Sequence, residues 1–188
     1  MNNRYPLVII STDGTYFLIR HVKEEDRVGL ESFFSALSET ERWLSRINTA
    51  DSKTRKPWFD GTQEEQCIPF VAQDMNDQVI AAYALLERHA SPCLAHIAHV
   101  RIMVAPGYRA RGLGSRMIIE LSDLASCMGI EKVVAEFAGD MEEVAIKAAL
   151  RLNFVKQATL KDYIKDSGGG FHDLVIMVKT IGPCPGDF

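Results

Sequence analysis

The stretch "VAPGYRARGLGSRM", Val104 to Met117, sets three glycines and three arginines between two apolar segments. Glycine allows left-handed and tightly turned backbone, so consecutive N–H groups can converge on one point. Arginine at the rim supplies charge and planar donors suited to phosphate or carboxylate. The chemistry open to such a loop is anion binding, strongest where a helix begins directly after it. Residue types separate three phosphate-binding patterns. A P-loop needs Lys and Ser or Thr after its second glycine, and Gly107 and Gly112 have the spacing but are followed by Leu113 and Gly114. A dinucleotide fingerprint needs a third glycine where Met117 stands. Arg109-x-x-Gly112-x-Gly114, at a strand-to-helix junction, is the pattern that remains.

The flanking sequence supplies that junction. Ahead of the loop, "CLAHIAHVRIMV" reads as a long strand; behind it, Leu113, Met117, Leu121, Leu124 and Met128 repeat on one helical face, with Gly129 placed for a left-handed cap. Asp13-Gly14 between "PLVII" and "TYFLIR" predicts an opening hairpin. Leu30, Phe33, Phe34 and Leu37 form a helical stripe, and Ser38 with Glu41 forms a capping box, which predicts two short consecutive helices. "CIPFVAQ" and "QVIAAYALLER" predict a second hairpin, and a strand, a helix and two strands close the chain, with a hairpin loop at Gly168 to Gly170. Between Asn48 and Gln66 a polar segment with Trp58 and Phe59 predicts a long loop. Strands followed by a strand-helix-strand crossover predict an α/β fold: one mixed central sheet of about seven strands with helices on both faces.

Composition narrows the function classes. The 188 residues carry 21 Lys and Arg against 25 Asp and Glu, a formal charge of -4, which argues against a nucleic-acid binder. No apolar run approaches a membrane span and no secretory leader is visible, so a soluble, cytoplasmic protein is expected. Cys67, Cys93, Cys127 and Cys184 form no CxxC pair, so no metal site is expected and four reduced thiols are, with Cys127 an inert one among apolar neighbours.

The loop "VAPGYRARGLGSRM" resembles the acetyl-CoA pyrophosphate loop of the GNAT superfamily of N-acetyltransferases, with "RIMV" similar to the fold's fourth strand and the helix from Arg111 to its third helix. The resemblance spans roughly residues 15 to 181 of a single 1–188 domain, leaving 1–14 as an N-terminal strand extension and 182–188 as a tail. It implies an α/β GNAT-like fold with acetyl-CoA as co-substrate, bound at Arg109, Ala110, Arg111, Gly112, Leu113, Gly114 and Ser115. It also implies a bulge at Ile102, Met103 and Val104, whose backbone holds the pantetheine. The implied partner is an amine acceptor, a small molecule or a protein amine, without nucleic acid or membrane; a homodimer is compatible with it.

The implied reaction is direct attack of an amine on the thioester, in a ternary complex. A lysine-like amine of pKa about 10.4 is neutral in only about one of 2,500 molecules at pH 7, equivalent to about 4.6 kcal/mol, so a proton acceptor matters. His96, His99 and Glu136 fall on the strands that should border the thioester. Tyr163, His172 and Asp173 fall near the last hairpin, on the acceptor side. In "ALRLNF" the family's proton-donating tyrosine is replaced by Ala149 and its glycine by Asn153, so Tyr163 becomes the substitute donor. That departure keeps a second reading open: a non-catalytic acyl-CoA-binding sensor or regulatory module.

Overall fold

A computed structural model describes residues 5–45 and 66–184. The long loop expected at Asn48 to Gln66, including Trp58 and Phe59, lies outside the described residues except for Gln66. The elements run β1 (Leu7–Ile10), β2 (Tyr16–His21), α1 (Arg27–Ala36), α2 (Glu39–Leu44), β3 (Cys67–Asp74), β4 (Ile80–Arg88), β5 (Ile97–Val104), α3 (Leu113–Cys127), β6 (Lys132–Ala138), α4 (Glu143–Arg151), β7 (Val155–Lys165) and β8 (Phe171–Thr180). β5 starts later than the apolar pattern predicts, because Pro92–Leu94 close a 3-10 turn. Proline's missing N–H and fixed φ suit that turn better than a central strand.

The eight strands form one sheet in the order β1-β2-β3-β4-β5-β6-β8-β7. Every neighbouring pair is antiparallel except β5 and β6, which α3 connects. The sequence pattern points to about seven strands; the difference is small, and the N-terminal segment expected as an extension pairs through β1 as an edge strand.

Period decides which side each element covers. The stripe of α3 buries Leu113, Met117, Leu121 and Leu124 against Phe17, Phe70, Val100 and Val133, joined by Ala149 of α4. On the opposite face Leu30, Phe33 and Phe34 of α1 pack on Val71, Ile80, Tyr83 and Leu85. Each fully buried side chain of this size contributes about 1.5–3 kcal/mol of transfer free energy, so α1 and α3 are anchored by their stripes. The helix α2 buries no residue at all. At the end of α4, Asn153 takes φ 66°, and Phe154 N–H donates to the Ala149 carbonyl at 3.1 Å. Asparagine thus fills the left-handed cap position that the resemblance assigns to glycine.

Cys127 and Cys184 are joined in a disulfide with their Cα atoms 4.5 Å apart, which corrects the expectation of four reduced thiols; Cys67 and Cys93 are free. Spacing alone could not pair them. The Ile181 N–H donates to the Glu131 carbonyl at 2.9 Å and the Ser126 hydroxyl to the Gly182 carbonyl at 2.6 Å, which brings the segment after β8 back beside the end of α3.

Candidate active site

The sheet splits where β5 meets β6. Their ladder consists of Ile97 with Lys132, Ala98 with Val133 and His99 with Val134. Beyond His99, β5 stays paired with β4 as far as Ala82 and Val104, while β6 stays paired with β8 as far as Ala138 and Leu174. The two halves therefore open as a V whose vertex is His99 and whose mouth faces the loop after Val104. About 16 Å of β5 borders the opening, at about 3.3 Å per residue. The β4–β5 register is continuous through Ile102, Met103 and Val104, so the bulge implied by the resemblance is absent there. Strand divergence, rather than an inserted residue, frees the inner edge of β5. Ile102 and Val104 pack on the α3 side and Met103 on the α1 side, so what these three can offer jointly to a ligand is backbone.

The loop at the mouth opens α3 at its N-terminus. Gly112 holds the cap position at φ 77°, Ala110 two residues earlier has φ 59°, and the helical ladder starts with the Arg116 N–H on the Gly112 carbonyl, 3.0 Å. The N–H groups of Leu113, Gly114 and Ser115 lie in the first turn, where no preceding helical carbonyl can accept them. These amides stand at the positive end of the helix dipole.

The glycines also face other parts of the fold. A Cβ on Gly112 would lie 3.3 Å from Thr12 Cγ2, and one on Gly114 would lie 3.4 Å from Val104 Cγ2. Gly112 permits the loop to press on the β1–β2 turn, while a methyl at Gly114 would make an ordinary contact with β5. The loop side chains are likewise held by protein partners. Arg109 Nη1 lies 2.6 Å from Glu41 Oε1, Arg111 Nη1 lies 2.9 Å from Asp13 Oδ2, and Tyr108 Oη donates to Asp77 Oδ2 at 3.2 Å. Three acidic residues from three turns or helices thus grip one loop. Hydrogen bonds from the Ser11 hydroxyl and the Thr15 amide, with help from Arg111, hold Asp13 down at about 2. Burial, with Asp77 and Asp74 nearby, pushes Tyr108 up to about 12.

At the vertex the register gathers titratable groups on the face that α1 covers. His99 lies opposite Glu87 on β4 and Val134 on β6, and Glu136 follows two residues along β6 on the same face. Burial lowers the pKa of His99, while Glu136 and Glu87 pull it back up. A histidine so placed is neutral at pH 7 and able to accept a proton. Arg101, two residues along from His99, donates from Nε to Glu87 Oε2 at 3.0 Å. Glu87 and Asp77, and the loop contacts of Glu41 and Asp13, escape sequence reasoning. Strand alternation puts Glu87 on one face of β4, but only the β4–β5 register sets it opposite His99.

The other candidates stand apart. His96 sits in the turn before β5, at the end away from the V, and its carbonyl accepts the N–H groups of Glu131 and Lys132 at 2.9 and 3.1 Å. Tyr163 is 66 % exposed on β7, the edge strand two positions from β6. His172 is clamped: Nδ1 lies 2.8 Å from Asp140 Oδ2 and Nε2 lies 3.0 Å from Asp166 Oδ2. The hydrogen bonds of those two carboxylates raise its pKa and lower theirs, so the clamp favours the charged form of each. Asp173 accepts the Asp162 N–H at 3.1 Å and shapes the β7 irregularity. Ala149, where the family has its tyrosine, is fully buried.

The mixed sheet parts between β5 and β6, beside a glycine-containing loop that opens a helix, and this makes the protein an α/β one with a cleft at that point. Residues 30–154 match the model of the Acetyltransferase (GNAT) family, and the chain belongs to that family. A Bacillus subtilis (strain 168) protein carrying the name "Putative phosphinothricin acetyltransferase YwnH" is 30% identical over 100 residues, which span 50% of this chain and 61% of that protein. Among solved structures, the GNAT domain of S. lividans PAT superposes with a TM-score of 0.78 at 16% identity, covering 96% of this chain and 99% of that one. A phosphinothricin acetyltransferase from Sinorhizobium meliloti in complex with AcCoA superposes with a TM-score of 0.74 at 18% identity, covering 88% and 89%. No helix among the described residues is long and apolar enough to cross a membrane.

Proposed function

We propose that the protein transfers the acetyl group of acetyl-CoA to a primary amine within a ternary complex, as one domain working in the cytoplasm. The observation that carries this reading is the V between β5 and β6, with an anion cradle at its mouth and a histidine at its vertex. The cradle suits the pyrophosphate: amides at a helix N-terminus approach it without a side chain in the way, and the charge they offer is fixed in direction. Acetyl-CoA supplies the activated thioester. The inner edge of β5 from Val100 to Val104 provides backbone groups to line the arm. His99 accepts the ammonium proton, directly or through water, and the Glu136 carboxylate stabilises the imidazolium that results. Arg101 and Glu87 pair with each other beside it and keep that face ordered.

The proton for the departing thiolate comes from solvent in this reading. Ala149 cannot give one, and Tyr163 is exposed on an edge strand. A thiol of pKa near 8.5 needs little help at neutral pH. The buried Ala149 also keeps the second reading alive, a non-catalytic acyl-CoA sensor. Released CoA, measured with a panel of amines headed by phosphinothricin because relatives carry that name, separates the two. Turnover with any amine establishes transfer; tight acetyl-CoA binding with no turnover establishes the sensor.

A further inference from the structure

We propose that Glu41 is a positioning residue that ties the cofactor loop to α2 and thereby sets the wall of the amine site; this rests on the acetyl-transfer reading above. The two carboxylate oxygens are divided between two tasks. Oε2 accepts the Ser38 N–H at 2.8 Å and closes the capping box of α2, while Oε1 pairs with Arg109 Nη1 at 2.6 Å. Arg109 in turn donates from Nε to the Val104 carbonyl at 3.0 Å. Its rigid fork therefore runs from the end of β5, beside the V, to the first turn of α2. Partial burial would raise the Glu41 pKa, but the bonds from Arg109 and Ser38 outweigh it and keep the carboxylate charged.

What makes this contact matter is how α2 is held. The helix has six residues and none is buried, so no apolar stripe fixes it. Among the described residues, two other polar contacts also hold it. The Trp43 indole N–H donates to the Lys165 carbonyl on β7 at 2.7 Å, and Arg101 Nη1 donates to the Ser45 carbonyl at the helix end, 3.4 Å. Arg101 shares its face of β5 with His99. Hence α2 lies over the reacting face, spans from the cofactor loop to the β7–β8 hairpin, and buries none of its residues fully, with polar contacts at both ends. Such an element opens at low free-energy cost, so one charged tether governs much of its placement. A ligand that orders Arg109 then orders α2 through Glu41, and this is a coupling between two sites.

The Glu41→Gln variant isolates the tether, because glutamine also closes a capping box and only the charge pair with Arg109 is lost. We expect the KM for the amine to rise about tenfold, with kcat and the acetyl-CoA Kd each within about twofold of wild type and the melting temperature unchanged. Hydrogen exchange at the α2 amides should be faster in the variant, and acetyl-CoA should slow it in wild type only. An unchanged amine KM overturns the proposal. So does an acetyl-CoA Kd that weakens in step with KM, which would limit Glu41 to the cofactor, and so does a tighter Kd, which would make Glu41 a competitor of the bound anion. If wild type acetylates no amine, the acetyl-transfer reading falls separately. Exchange in the free protein then decides the tether, and α2 amides that exchange equally in both proteins overturn it.

Discussion

Val134 is the last residue of β6 that pairs with β5, and its partner is His99. That pair marks where the sheet opens, and it places a histidine whose pKa burial lowers at the narrow end of the opening.

Because Glu136 raises the pKa that burial lowers in His99, removing its charge should push that pKa further down. In Glu136→Gln the acidic limb of the rate profile should move to lower pH, while turnover still rises toward pH 8.5 as the amine loses its proton. His99→Ala should lower kcat about 100-fold, the lower end for a positioned proton acceptor. Steady-state profiles from pH 5 to 9 check both; a limb that stays in place in Glu136→Gln means that His99 does not set it.

The two loop glycines should respond differently to a methyl group. Gly112 sits at φ 77° with Thr12 3.3 Å from the position of a Cβ, so Gly112→Ala should lose about 1–2 kcal/mol of stability. Gly114 lies inside the helix and its methyl would make an ordinary 3.4 Å contact with Val104. Gly114→Ala should fold at least as well as wild type and keep its acetyl-CoA affinity within about threefold. Melting curves with calorimetric titrations distinguish this from an anion-blocking role, in which both variants would fold and neither would bind.

His172 should hold the β7–β8 hairpin most firmly in mildly acidic solution. Its folded pKa lies above the free value of about 6.5, so its contribution is complete below that pH and is lost as pH rises through the folded pKa. Asp140 and Asp166 have lowered pKa values, so their contribution is present above about 3.9 and is lost as pH falls. Imidazole NMR shifts should titrate above 6.5 in wild type and nearer to it in Asp140→Asn. Exchange at Asp166 to Gly170 should quicken over the same range.

Protein unfolded without reductant should show two titratable thiols, Cys67 and Cys93, and four after reduction. The Cys127–Cys184 bridge closes a separation of 57 residues, which by chain entropy corresponds to about 4 kcal/mol. Reduction should therefore lower the melting temperature, and Cys127→Ser should match the reduced protein. Four thiols before reduction would remove the bridge.

Local signals in the sequence determined a great deal about this protein. The Asp13-Gly14 turn, the Ser38–Glu41 capping box, the α3 stripe and Gly129 at φ 76° each depend on neighbours a few residues apart, so the sequence pattern carries them. The strand-to-helix turn from Arg109 to Gly114 was readable for the same reason, because glycines mark where backbone must turn. Tertiary structure decided the rest. Register alone sets His99 opposite Glu87 and beside Glu136, while leaving His96 in a turn and Tyr163 on an edge strand. The grip of Glu41, Asp13 and Asp77 on the loop, and the meeting of Cys127 with Cys184, join residues far apart in the chain. A single carboxylate or thiol carries no periodic signal, and its partner exists only once the sheet has brought distant segments together.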